Sequence, residues 1–236
     1  ELKAHGDIRI DNYFWMRLSD EQKNAKEKDK QTTKVLDYLN TENDYYNQIT
    51  AHTNNFQTSL FEEMKSRIKE DDESVPYKKN GYFYINKFEK GKQYPIYTRK
   101  KNSLEANEEL LFNVNDLASG HDYYQLGGLN VSSNNQLAAF AVDTISRRQY
   151  VLQIKNLATG EVYKDVITNT NGGSVWANDN KTLFYTKKDP VSLRSYKIFK
   201  HVLGTDESED VEVYHESDDT FGAFVTKSKS DDYIII

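Results

Sequence analysis

Apolar positions change their period once along this chain. Over residues 31–70 they recur every three or four residues. Val35, Leu36, Leu39, Tyr46 and Ile49 form one series, and Phe56, Leu60, Phe61, Met64 and Ile68 form a cleaner second one. That spacing predicts two amphipathic helices, each with a face that needs a partner surface, and core packing is the expected use of both faces. Thr53 and Asn54 stand where the second helix needs a cap, and Pro76 lies beyond its end. Residues 1–30 read as an extended approach followed by a lysine-rich polar stretch, EQKNAKEKDK. Within the approach, Tyr13, Phe14 and Trp15 stand together and predict a packing contact rather than a free tail.

From about residue 75 the texture becomes that of strands. GYFYINKF, QYPIYTRK, ELLFNV, QLAAFAVD, QYVLQIK, TLFYTKK, SYKIFKHVL, VEVYHES and YIII are short and rich in β-branched and aromatic residues, with Gly, Asn and Asp turns between them. Tyr150, Leu152 and Ile154 alternate strictly, as do Tyr196 and Ile198. Many short strands without intervening helices predict an all-β region. The chain therefore divides into a lead-in over 1–74 and a β region over 75–236.

The β region repeats itself. GGLNVSSNNQLAAFA starts at Gly127 and GGSVWANDNKTLFYT at Gly172, 45 residues later. Each reads as two glycines starting a strand, an Asn/Asp turn (Asn134-Asn135, Asp179-Asn180) and a second strand on which Phe140 and Tyr185 correspond. A weaker copy puts Tyr84 in that place, and KSKSDDYIII ends on it. About four strands per period of some 40–50 residues is the pattern of a β-propeller blade. Three blades and the start of a fourth fit in the chain, so the fold class is mainly β, a partial β-propeller behind a helical lead-in.

Composition narrows the function. The 236 residues are 13% aromatic, too rich in rings for a disordered chain, and the formal net charge of −6 argues against nucleic acid as a partner. With no cysteine there is no disulfide framework, Cys-liganded zinc or thiol nucleophile. No apolar run approaches membrane-spanning length, so no membrane is expected as a partner, and zero cysteine suits cytoplasm and periplasm alike. A start at Glu1 without Met and a finish on Ile234, Ile235 and Ile236 read as cut ends.

Candidate chemistry is sparse. The G-x-S-x-G nucleophile elbow is absent. GGSVW comes nearest, but Trp176 stands where the second glycine is required, so Ser174 reads as a blade residue and not as a nucleophile. His5, His52, His121, His201 and His215 show no i,i+4 pair and no H-E-x-x-H, and no phosphate loop is present, so no metal or cofactor is expected. The acidic runs Glu70-Asp71-Asp72-Glu73, Glu207 to Asp210 and Asp218-Asp219 read as solvated turns. Arg147 and Arg148, in SRRQY between two blade strands, are the candidate contacts: two adjacent guanidiniums either hold a carboxylate across a domain seam or face water.

The strings HGDIRIDNYFWMR, RIKEDDESVPYKKNGYFYINKFEKGKQYPIYTRK, GHDYYQLGG, SRRQYVLQIKNLATGE, VWANDNKTLFYTKKDP, YKIFKHVLGT and DDTF, in this order, resemble the amino-terminal region of the prolyl oligopeptidase family of serine peptidases, on its oligopeptidase B (protease II) branch. The resemblance implies a seven-bladed propeller capping an α/β-hydrolase domain that carries a Ser, Asp, His triad. The leading helices would pack on that hydrolase domain, which is missing here. It also implies cleavage of short peptides after Lys or Arg, with the propeller filtering substrates by size. No triad, oxyanion or specificity-pocket position matches a residue of this chain, so no catalytic residue is assigned and the chain alone is expected to be inactive. Self-association through uncovered surfaces is expected of it. Two alternatives stand beside this reading: a prolyl oligopeptidase proper, cleaving after Pro, and a non-catalytic propeller-like binding module.

Overall fold

The helical period is realised in the first of two units, Glu1–Lys69 and Glu70–Ile236, in a computed structural model that describes residues 1–236. Strands β1 (Leu2–Ala4) and β2 (Asp7–Arg9) form a hairpin, with His5 and Gly6 both at positive φ in its turn. The lysine-rich stretch contains a short helix, α1 (Asp20–Asn24), opened by a reciprocal capping box between Ser19 and Gln22. Asp29 caps α2 (Lys30–Thr50) by accepting from the Thr32 N–H. Helix α3 (Asn54–Ser66) follows after one 3₁₀ turn.

The expected cap of α3 does not form. Thr53 keeps helical dihedrals (φ −93°, ψ −6°); its hydroxyl donates to the Thr50 carbonyl and accepts from the Gln57 side-chain amide, but takes no backbone N–H of the new helix. The chain never leaves the helical basin between α2 and α3, so there is no extended residue to act as N-cap. Core packing of the two helix faces is also absent from this unit. Only Thr32 and Val35 of α2 are buried and α3 buries nothing, while Leu36, Leu39, Phe56, Leu60, Phe61 and Met64 are exposed. Of the aromatic trio, Trp15 is half-buried: it meets Tyr38 edge-on at 5.6 Å, and the Lys34 ammonium lies 4.8 Å from its ring. Tyr13 and Phe14 are exposed.

The second unit is antiparallel throughout. Its first sheet contains β3 (Asp72–Glu73), β4 (Tyr77–Lys79), β5 (Tyr82–Phe88), β6 (Ile96–Lys101) and β7 (Glu108–Asn113); β3 and β4 pair with different parts of β5. The acidic run at 70–73 is therefore partly a strand, because Asp72 and Glu73 pair opposite Phe88 and Lys87. After the short helix α4 (Val114–Leu117) comes a seven-stranded sheet. In order it holds β8 (Gln125–Val131), β9 (Leu137–Asp143), β10 (Tyr150–Asn156), β11 (Val162–Trp176), β12 (Thr182–Lys188), β13 (Ser195–Val202) and β14 (Val211–His215). A last hairpin joins β15 (Thr226–Lys227) to β16 (Ile234–Ile235).

Strand β11 is two strands in one. Its half up to Thr170 pairs with β10, and its half from Thr170 to Trp176 pairs with β12. The unit thus reads as a run of four-stranded blades: β4–β7, then β8 to the first half of β11, then the second half of β11 to β14, then β15–β16 as the start of another. This is a partial, unclosed propeller. The equivalent residues Tyr84, Phe140 and Tyr185 are all buried, each on the second strand of its blade.

Blades pack face to face. In β9, Ala138 and Phe140 join Tyr84, Leu111 and Phe112 on one side, while Leu137, Ala139 and Ala141 join Tyr150, Leu152, Ile167, Trp176 and Tyr185 on the other. Burial on both faces is why LAAFAV reads as a continuous apolar run, and its alanines leave room for neighbours on either side. The two glycine pairs do not start strands. Gly127-Gly128 and Gly172-Gly173 lie inside β8 and β11, at breaks in pairing register, with Gly128 (φ +58°) and Gly172 (φ +89°) in the left-handed region.

Candidate functional site

The first strands of successive blades converge on one recess of about 630 Å³, walled by β4, β8, the second half of β11, and β15 with the turn after it. Cross-blade hydrogen bonds fix the wall. The Trp176 indole N–H donates to the Asn130 carbonyl at 3.0 Å, and the Asn130 side-chain amide donates to the Ser174 carbonyl at 2.9 Å. Lys78, Lys79, Lys227, Lys229 and Asp231 bring charge to the lining. The Lys227 ammonium donates to Asn178 Oδ1 at 2.6 Å, and that of Lys78 lies 5.4 Å from the Phe83 ring.

Ser174 lies on this wall. It is buried, and its Oγ has no hydrogen-bond partner. No imidazole or carboxylate is therefore in bonding distance to act as its base, as a nucleophilic serine requires. The histidines are scattered: His52 Nδ1 lies 2.9 Å from the Ile49 carbonyl, His121 packs on Tyr124 and His215 stands edge-on to Tyr196.

Arg147 and Arg148 occupy the turn between β9 and β10, and both are exposed. The turn is nevertheless held firmly. Fully buried Asp143 accepts from the backbone N–H groups of Ile145 (2.8 Å) and Arg148 (2.7 Å). From the next blade, the Lys188 ammonium donates to the Arg148 carbonyl at 2.8 Å; burial, and then the Arg148 charge, hold its pKa below the usual lysine value. The backbone is at φ +55° at Arg148, and both guanidiniums belong to exposed residues.

A second polar constellation was not foreseen. His201 on β13 is fully buried, with Nδ1 2.7 Å from Asp210 Oδ1 and Nε2 3.0 Å from Asp165 Oδ2. The Gly204 N–H also donates to Asp165 Oδ2, and the Tyr185 hydroxyl donates to Asp210 Oδ2 at 2.8 Å. Burial, then the hydrogen bond to Asp210, push the Tyr185 phenol far above its ordinary range. Asp165 lies in the first half of β11 and the other members in the following blade, so the cluster bolts two blades together. The run from Glu207 to Asp210 is thereby corrected. Asp210 is buried in this cluster, and Glu207 takes the Lys187 ammonium and the Thr168 N–H, so these are structural acids and not a solvated turn. The available signal was a histidine inside the strand SYKIFKHVL, where the repeat places Asn156 in the preceding blade.

Known proteins place this architecture. Residues 2–236 match the family model described as the prolyl oligopeptidase N-terminal β-propeller domain. The chain is 40% identical to dipeptidyl aminopeptidase BI of Pseudoxanthomonas mexicana over 98% of its own length and 33% of the relative's. It is 31% identical to protease 2 of Moraxella lacunata over 99% of its length and 33% of that protein's. Among solved structures it is similar to oligopeptidase B from Leishmania major, with a TM-score of 0.82 and 33% identity over 96% of this chain and 31% of that one. It thus spans about a third of the length of these relatives. The blade repeat, the shared recess and this match along nearly every residue lead to one assignment: the chain belongs to the prolyl oligopeptidase family, within its N-terminal β-propeller region.

Proposed function

We propose that this chain is the propeller-bearing part of a serine oligopeptidase that cleaves short peptides after Lys or Arg. The observation that carries the reading is the match to protease 2 and oligopeptidase B along nearly the whole chain. In the complete enzyme the triad belongs to an α/β-hydrolase domain, the propeller excludes large folded substrates, and the exposed faces of α2 and α3 lie against the hydrolase domain. The chain by itself cleaves nothing, since Ser174 has no base. Arg147 and Arg148 are the contacts that reach a carboxylate across the seam between propeller and hydrolase.

A second reading has its own support. The relative at 40% identity is named a dipeptidyl aminopeptidase, which favours release of dipeptides from a free N-terminus. One experiment separates the two. The full-length protein, and separately this 236-residue chain, are given amino-blocked reporters ending in Lys or Arg and unblocked dipeptide reporters. Turnover of blocked substrates by the full-length protein alone supports the first reading, and turnover confined to unblocked dipeptides supports the second. Turnover of neither removes both. In the same assay, Arg147→Ala/Arg148→Ala should alter turnover while leaving the thermal midpoint in place; unchanged turnover would remove the seam contact.

A further inference from the structure

The two seams between the first three blades are built differently. The second and third blades share strand β11 and lie in one seven-stranded sheet, whereas the first blade is a separate sheet. The seam between the second and third blades is fastened by buried polar groups, with Trp176 bonded to Asn130 and His201 set between Asp165 and Asp210. The seam between the first and second blades is chiefly apolar. Tyr84, Leu111 and Phe112 of the first blade pack on Ala138 and Phe140 of the second, with the Phe112 and Phe140 rings 4.8 Å apart. Apolar packing is non-directional, so it holds two surfaces in register less strictly than a hydrogen-bonded network does.

The polar fastenings of this first seam gather on Asn135. Arg99 is anchored within the first blade by Glu109 (2.8 Å) and lies 4.1 Å from the Tyr82 ring. It donates from Nη1 to the Asn135 carbonyl at 2.9 Å, and the Asn135 side-chain amide donates back to the Asn80 carbonyl at 2.9 Å. Lys155 Nζ crosses the same seam to the Leu111 carbonyl at 2.8 Å. Hollows flank the seam. A cleft of about 590 Å³ has Tyr82, Arg99 and Leu110 on one side and Asn134, Gln136 and Leu157 on the other. A cavity of about 50 Å³ between β4 and β8 shares Tyr77, Lys79, Asn130 and Val131 with the recess. Asn80 lines the cleft, the cavity and the recess, so its bond to Asn135 stands where all three meet.

We propose that the first blade (β4–β7) is a hinged flank that swings away from the second blade and joins the outer cleft to the recess, with Asn135 as its latch. The pivot is the stretch after α4, where Gly120 stands at φ +84° in open space. The opening is local, because β8–β14 keep their shared sheet. It uses only residues of this chain and does not depend on the peptidase reading.

The chain has no cysteine, so introduced thiols report opening without background. Ala138 and Ala139 are neighbours on β9 and both fully buried, Ala138 in the first seam and Ala139 in the second. Iodoacetamide labelling of Ala138→Cys and Ala139→Cys in the 236-residue chain is followed by mass spectrometry in native buffer, each rate taken relative to that of the same variant unfolded in urea. The cysteine at 138 should label about tenfold faster or more, since global unfolding exposes both alike and local opening exposes one. Leu111→Cys and Leu152→Cys, one in each seam, are a second, size-matched pair with the same order expected, and they serve where an alanine variant does not fold. Asn135→Gly suits the left-handed backbone there (φ +63°) and removes the amide. It should speed labelling in the first seam about fivefold, as for one lost hydrogen bond, and leave the second seam unchanged. Equal rates in the two seams, faster labelling in the second, or a first-seam rate that Asn135→Gly leaves unchanged would overturn the hinged flank.

Discussion

Gly128 and Gly172 touch backbone to backbone: a Cβ placed on Gly128 would sit 1.5 Å from the Gly172 carbonyl oxygen. The two residues belong to the first strands of neighbouring blades, so at this point the strands leave no room for a side chain. Gly128 also holds φ +58°, where an L side chain is strained. Gly128→Ala should therefore lower stability by about 3 kcal/mol or more, combining left-handed strain with forced separation of two strands. Gly91 provides the control. It has φ +75° but open space around its Cβ position, so Gly91→Ala should cost only about 1–2 kcal/mol. Urea unfolding of both variants checks this. Equal losses would mean that the blades separate there without penalty.

The Asp165–His201–Asp210 cluster makes a second prediction. Both ring nitrogens lie within hydrogen-bond distance of carboxylate oxygens, so one buried imidazole is the shared partner of Asp165 and Asp210. Removing the ring would leave two carboxylates buried without their shared donor. His201→Gln should then lower stability by about 3 kcal/mol, the cost of breaking a buried charged network. Glu207→Gln, at the partly exposed pair with Lys187, should cost under about 1 kcal/mol. A His201 variant as mild as the Glu207 one, by the same unfolding curves, would show that the cluster does not bind the blades.

Tyr185 gives the pH dependence. Its phenol titrates higher in the folded protein than the ordinary 10.0, through burial first and Asp210 second. The folded state therefore keeps a proton that the unfolded chain loses. This contribution to stability is complete below 10.0 and is lost as pH rises above it. Tyr185→Phe should flatten part of the alkaline loss. Part will remain, because burial also raises Tyr84, Tyr97 and Tyr124. At neutral pH the variant should be about 1–2 kcal/mol less stable, since Asp210 loses a donor. An alkaline limb as steep as that of the parent would refute the assignment.

What could be read along the chain was whatever local period encodes. Tyr84, Phe140 and Tyr185 fell into register because each blade buries its second strand in the same way. The continuity of β11 was hidden, because Gly172-Gly173 looks like the start of a strand until the neighbouring backbone at Gly128 explains it. His201 and Asp165 lie 36 residues apart, and Asp210 sits within an acidic run, so adjacency gave no sign of their contact. The family strings carried the assignment, while the shared lysine lining of the recess emerged only when β4 and β15 were brought to one wall.

The α2 and α3 faces lead to the last prediction. Helical period requires an apolar stripe to be covered, yet Ile49, Phe56, Phe61 and Met64 are each more than half exposed. Burying one such side chain is worth about 1.5–3 kcal/mol, so several together favour association strongly. In the complete enzyme proposed above, the hydrolase domain supplies the cover. In the 236-residue chain a second copy is the cover at hand, and sedimentation velocity should show dimers or larger species that grow with concentration. Leu39→Glu/Phe61→Glu places charges in the stripe and should return the chain to a monomer. It should leave the unfolding of the β unit unchanged, because neither residue belongs to that unit. A parent chain that stays monomeric at high micromolar concentration, or an assembly that survives both glutamates, would show that these faces do not drive association.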